Sequence, residues 1–122
     1  MEELELETTL VYELGKEVIY VFDVIYEYSL KQAIEDGVLV EVFKKSWSTL
    51  SGGKPIVATA NIFGDVSLAG LMEIWNEFVG WKKKVEPTLK EEDRLFATVM
   101  NGRRVWVMED GQAFTILYPE DY

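Results

Sequence analysis

Carboxylates dominate the chemically useful side chains here, because the 122-residue sequence contains neither histidine nor cysteine. Without imidazole or thiolate, no Ser-His-Asp or Cys-His nucleophile can be assembled, and zinc loses its usual ligands. The ordinary general base near neutral pH is also missing. A catalytic centre would have to use carboxylates, lysine, tyrosine or serine. Disulfides are excluded, which suits a cytoplasmic setting.

Four groups of residues have types and spacing that invite a chemical reading. Glu73 and Glu77 stand four apart, as two carboxylates on one helix face would. With further oxygens they could hold a divalent cation; as a pair alone they describe a solvated face. Glu91-Glu92-Asp93 lacks the alternating spacing of a calcium loop and reads as an exposed connector. Ser51-Gly52-Gly53-Lys54 resembles a phosphate-cradling loop. However, Ser48 stands where that motif needs glycine and Pro55 where it needs serine or threonine, so a flexible turn is expected. Asp23 and Glu41 each interrupt a strongly apolar stretch. If buried, they would have raised pKa values and mark a functional site; if not, each points to solvent from a half-exposed strand. None of these groups defines a catalytic residue, a cofactor site or a metal site.

Aromatic residues point to binding rather than catalysis. Of the four tryptophans, Trp75 belongs to an apolar helical stripe, Trp47 falls in a glycine-containing loop region and Trp81 lies off the stripe. An exposed tryptophan with a polar rim is an interface anchor; the alternative is packing over a loop.

Charge narrows the partners. Twenty-two acids oppose twelve bases, a formal charge of −10, so no direct nucleic-acid binding is expected. Such acidity can serve solubility alone, a basic protein partner, or imitation of nucleic acid. The imitation would use the polar side of the first segment, Glu3, Glu5, Glu7 and Glu13. Alternate strand residues stand about 6.7 Å apart, near the phosphate spacing of a single strand. No apolar run is long enough to span a bilayer, and the acidic start, Met1-Glu2-Glu3, is unlike a secretory leader.

The elements that must position these residues follow from periodicity. Alternation over residues 4–14 and again over 18–28 predicts two strands in a long N-terminal hairpin. Ser29 is placed to cap a short helix over 30–36, with Gly37 at its C-terminal cap. Residues 38–43 read as a strand with Val38, Val40 and Val42 on one face, and 44–55 as a loop. Residues 56–60 read as a short strand or as the approach to the main helix. That helix begins after Ser67, carries Leu68, Leu71, Met72, Trp75, Phe78 and Val79 on its apolar stripe, and stops before Pro87. Asn101-Gly102 and Asp110-Gly111 join strands over 95–100, 103–108 and 112–118 into a C-terminal meander. The expected fold is α+β in a single domain over 1–122. An antiparallel sheet forms from the N-terminal hairpin, the middle strand and the three-stranded meander, with one main helix on a face and one short helix.

Two blocks, residues 26–42 (YEYSLKQAIEDGVLVEV) and 114–121 (FTILYPED), resemble an uncharacterised domain-of-unknown-function family of small bacterial, plasmid and phage proteins. The spacing from Trp75 to Val79-Gly80-Trp81 is similar to that family's as well. The resemblance covers 26–122, leaving 1–25 as an N-terminal strand addition. It carries over no activity, cofactor or catalytic residue, and implies a mobile-element setting in which accessory and counter-defence proteins are common.

The expected function is therefore a small acidic, non-catalytic protein-interaction module, whose sharpest form is an inhibitor imitating nucleic acid. Two alternatives stand beside it: a structural homo-oligomer formed through the N-terminal hairpin, and a carboxylate-based enzyme dependent on a divalent metal.

Overall fold

A computed structural model of the chain describes residues 30–122. Contacts divide the chain into two compact units, Met1–Asp36 and Gly37–Tyr122. The N-terminal hairpin, the Ser29 cap, the acidic stripe Glu3, Glu5, Glu7 and Glu13, and Asp23 lie outside the described residues. Of the first unit, residues 30–35 are helical (α1), and Gln32 Nε2 donates to Asp36 Oδ1 at 2.9 Å. The second unit begins with Gly37 at φ +78°, the left-handed conformation its cap position calls for.

Gly37–Tyr122 contains a five-stranded sheet. Its strands are β1 (Leu39–Glu41), β2 (Ile56–Thr59), β3 (Phe96–Met100), β4 (Arg103–Glu109) and β5 (Phe114–Leu117), in spatial order β1-β2-β5-β4-β3. The expected meander is present: β3 pairs β4 and β4 pairs β5, both antiparallel. Asn101 (φ 55°) and Gly102 (φ 80°) form the first turn, both left-handed as a two-residue hairpin of this kind requires. The second turn works differently, with Asp110 Oδ1 accepting from the backbone N–H of Gln112 and Ala113 at 2.7 and 3.0 Å.

The sheet is mixed, which corrects the antiparallel expectation. β1 runs antiparallel to β2, but β2 pairs β5 in parallel, with Ile56 opposite Phe114 and Ala58 opposite Ile116. The chain leaves β2 through α3 (Ala60–Asp65) and α4 (Leu68–Lys84), a crossover long enough to return a strand in the same direction. All four residues of β2 are buried, as suits a central strand covered on both faces.

Other differences have local causes. β1 ends at Glu41, short of residue 43, because Phe43 adopts φ 57° and turns the chain into a 3₁₀ turn, Lys44–Ser46. The predicted loop over 44–55 contains a further helical turn, α2 (Trp47–Leu50). Val38 is 58% exposed and Leu68 59%, so neither joins the apolar face expected of it.

Ser67 caps α4 as expected, its Oγ accepting from Gly70 N at 3.1 Å. From α4, Leu71, Ile74, Trp75 and Phe78 are buried against the sheet. They meet Ile56, Ala58, Phe96, Val105, Val107, Phe114 and Ile116, which the register puts on one face. Among the described residues, no helix is long and apolar enough to cross a membrane.

Candidate functional site

The aromatic packing of α4 runs to one end of the sheet and opens there into a cleft. Trp75 meets the edge of Phe114 at 5.1 Å between ring centroids, and Phe78 meets the edges of Phe96 and Phe114 at 5.7 Å each. One turn further along, Trp81 stacks on Phe78 at 6.0 Å and meets Phe96 at 5.7 Å. Trp81 thus continues the apolar stripe at i+3 from Phe78 rather than leaving it, a correction to the sequence reading. Beyond it the cleft, about 140 Å³ in volume, is lined by Phe78, Trp81, Leu95, Phe96, Val107 and Met108 and rimmed by Lys82, Glu86, Arg94 and Glu109.

Register explains why a carboxylate sits on this apolar face. Val105 and Val107 point toward α4, so with a period of two Glu109 points the same way, opposite Phe114. Lys82, four residues after Phe78, reaches down to it. Lys82 Nζ stands 2.8 Å from Glu109 Oε1 and 3.2 Å from Glu86 Oε1. Lys54 Nζ takes the other Glu109 oxygen at 3.1 Å and lies 5.0 Å over the Phe114 ring.

These pairings set the protonation states. Burial alone would push Glu109 up, but hydrogen bonds from Lys82 and Lys54 and their charges prevail, holding its carboxyl below the ordinary glutamate value. The hydrogen bond to Glu109 raises Lys82 above an ordinary lysine; burial opposes it and Glu86 reinforces it. Both shifts favour the charged forms.

Arg94 completes the rim. It follows a 3₁₀ turn, Glu91–Asp93, and its Nε donates to Leu89 O at 3.0 Å. Its outer guanidinium nitrogens carry no ion pair with any described residue.

A second polar cluster lies on α3, the start of β4 and the segment after β5. Tyr118 OH donates to Asp65 Oδ2 at 2.9 Å, and Arg103 stacks 3.6 Å over the Tyr118 ring. Arg103 also pairs with Asp65 at 3.2 Å and with Glu120. Asp121 accepts from Thr59 Oγ1 and Asn61 Nδ2, each at 2.8 Å. Burial, then the bond to Asp65, raises Tyr118 above an ordinary tyrosine. Burial would raise Asp121 too, but the bonds from Asn61 and Thr59 prevail and lower it. The cluster's donors and acceptors satisfy one another, so it acts as a fastening between the C-terminal segment and the β2–α3 junction.

The residues singled out in the sequence are dispersed. Trp47 is half-buried against the core and its indole N–H donates to Val42 O at 2.8 Å, tying α2 to the end of β1. The Glu41 side chain is 30% exposed and pairs with Lys44 at 3.3 Å. Glu73 and Glu77 are exposed, and Glu77 accepts from Thr98 Oγ1 at 2.6 Å. Ser51-Gly52-Gly53-Lys54 is a turn in which Ser51 Oγ donates to Lys54 O at 2.6 Å. Among the described residues, no three acids converge on a metal position.

No family model, curated protein or solved structure matches the chain. The cleft residues that the sequence reading passed over are Glu86, Arg94, Phe96 and Glu109. Only the Lys82–Glu86 spacing of four carried a local signal. Lys54 and Glu109 are 55 residues apart and meet through the fold alone.

Proposed function

We propose that this chain is a non-catalytic protein-interaction module that receives a side chain of its partner in the Trp81 cleft. The observation that carries the reading is a partly exposed Trp81, backed by the buried rings of Phe78 and Phe96, inside a rim of charged side chains. A partly exposed tryptophan with a polar, ion-paired surround is the form an interface anchor takes. A partner among host proteins would fit the mobile-element setting that residues 26–42 and 114–121 suggest by resemblance. The nucleic-acid-imitating form of this function would fall to Glu3, Glu5, Glu7 and Glu13, outside the described residues.

The test uses the whole chain as bait in lysate of its native host, at low and then high salt. A partner anchored by the cleft stays bound at high salt, where surface charge is screened. It is lost with Trp81→Leu, whose circular dichroism and melting confirm that the bait is folded. Equal capture by wild type and Trp81→Leu removes the cleft from the function.

A further inference from the structure

The sheet leaves one long edge open. In the order β1-β2-β5-β4-β3 the end strands are β1 and β3, and among the described residues each has a single strand neighbour. An exposed edge is a template for a further strand unless charge, proline, a bulge or shortness guards it. β1 is guarded. It has three residues, one of them Glu41, and the left-handed Phe43 turns the chain away just beyond it. β3 has five residues, Phe96–Met100, with no charge, proline or glycine.

Hairpin geometry fixes which backbone groups face outward. The Asn101-Gly102 turn closes at the Met100–Arg103 pair. In an antiparallel ladder the pairs Met100–Arg103, Thr98–Val105 and Phe96–Val107 then exchange bonds with β4. The N–H and C=O of Ala97 and Val99 point away from the sheet, and neither residue has another hydrogen bond.

The two faces beside this edge differ, and the difference selects what can be added. Phe96 packs on Phe78, and Thr98 Oγ1 donates to Glu77 Oε1 at 2.6 Å, so both face α4. Glu77 is exposed, and Glu73 lies one turn before it on the same side of the helix. Ala97 and Val99 take the opposite face, where both are exposed, Val99 at 64%. A strand laid on β3 sends its side chains alternately to these two faces. One set covers Ala97 and Val99, and the other stands beside Glu77. The matching segment therefore alternates apolar with basic residues, which also suits attraction to a chain of net charge −10. A second copy of this chain matches poorly. Pairing β3 with itself about Thr98 brings Glu77 of both copies beside one two-fold axis, like charge against like.

We propose that β3 accepts an extended segment of a partner protein as an added strand, with a basic residue facing Glu77 and apolar residues over Ala97 and Val99. Backbone bonds to Ala97 and Val99 hold the segment, and Glu77 selects its charge. The inference goes beyond the Trp81 reading and does not depend on it.

The experiment titrates the full chain with three peptides and follows backbone amides by NMR. The first is Ac-Ser-Val-Lys-Val-Lys-Val-Ser-amide, the second has glutamate in place of lysine, and the third is the first N-methylated over its central Val-Lys-Val. The lysine peptide shifts the Ala97 and Val99 amides and slows their hydrogen exchange. The glutamate peptide binds about tenfold more weakly, as expected for reversed charge at exposed positions. Glu77→Lys reverses the order of the two. Val99→Pro abolishes binding of both, and removes no bond to β4 because the Val99 N–H points outward. Val99→Lys, a substitution at an exposed position that keeps the fold, abolishes binding of the lysine peptide as well.

No protection of Ala97 and Val99 by the lysine peptide at millimolar concentration overturns the proposal, as does equal binding of the N-methylated form. Equal affinity for the lysine and glutamate peptides, or an unchanged order in Glu77→Lys, overturns the basic partner. Protection of Ala97 and Val99 that rises with chain concentration in the absence of peptide also overturns it, and identifies a second copy as the occupant. Each of these outcomes leaves the Trp81 reading to its own test, in which β3 is unaltered.

Discussion

Lys82 Nζ lies 2.8 Å from Glu109 Oε1 across 27 residues of sequence, joining the end of the main helix to the end of β4. Lys54 holds the other oxygen of the same carboxylate, so three separate segments meet on one side chain. The arrangement closes one wall of the aromatic cleft.

Glu109→Gln loses both ion pairs. The Glu109 side chain is 34% exposed, and partly exposed pairs contribute about 0.2–1 kcal/mol each. A combined loss of about 1 kcal/mol is expected, lowering the melting temperature by on the order of 4 °C. The gap between variant and wild type narrows at about 1 M sodium chloride, where screening is nearly complete over these distances. Differential scanning calorimetry at two salt concentrations checks both effects.

Stability depends on pH at both extremes. Glu109 and Asp121 have lowered pKa values, so their contribution is full above the ordinary values of 4.5 and 3.8 and disappears as pH falls through the lower folded values. Lys82 and Tyr118 are raised, so theirs is full below 10.5 and 10.0 and disappears as pH rises through the higher folded values. Urea midpoints are expected to be flat around neutrality and to fall at both ends. Glu109→Gln flattens part of the acid limb. A midpoint that rises on acidification below pH 4 contradicts the assignment.

Two glycines of α4 respond in opposite ways to alanine. A Cβ at Gly80 meets nothing within 4 Å, so Gly80→Ala raises stability by roughly 0.5–1 kcal/mol through helix propensity. A Cβ at Gly70 meets Val66 Cγ1 at 2.7 Å, and Val66 is buried and branched, with little room to move. Overpacking of this kind costs about 1–3 kcal/mol, so Gly70→Ala is destabilising despite the propensity gain. Chemical denaturation of the two variants side by side decides the matter.

Tyr118→Phe removes a hydroxyl that donates to Asp65 and leaves the ring under Arg103 in place. A loss of about 1 kcal/mol is expected. Combined with Asp65→Ala, the loss falls short of the sum of the single variants, because both act on the same bond. A double-mutant cycle measured by urea unfolding tests this.

Much of the α+β outline was readable locally. Asn101-Gly102 and Asp110-Gly111 between alternating runs specified the meander, and Ser67 with its following stripe specified α4. These signals act within a few residues, through turn geometry, capping and periodicity. α3 gave no comparable signal. Its flanking Thr59 makes no cap bond and sends its hydroxyl to Asp121 instead, 62 residues away. Trp81 was legible as a candidate anchor, and its spacing of three from Phe78 already marked it as part of the aromatic stripe, although only the fold brings Phe96 against it.

By itself the sequence determined the chemical vocabulary: no imidazole or thiol, an excess of carboxylates, a meander and an amphipathic helix. Tertiary structure alone decided that β2 lies parallel to β5: the α3–α4 crossover returns β3 in the direction of β2, and the antiparallel meander then gives β5 that direction too. It also decided that Lys54, Lys82 and Glu109 would meet, and that Arg94 would stand beside an aromatic floor. Local residue preferences reach only a turn or a hairpin, whereas a site of this kind forms when distant segments bury a shared face.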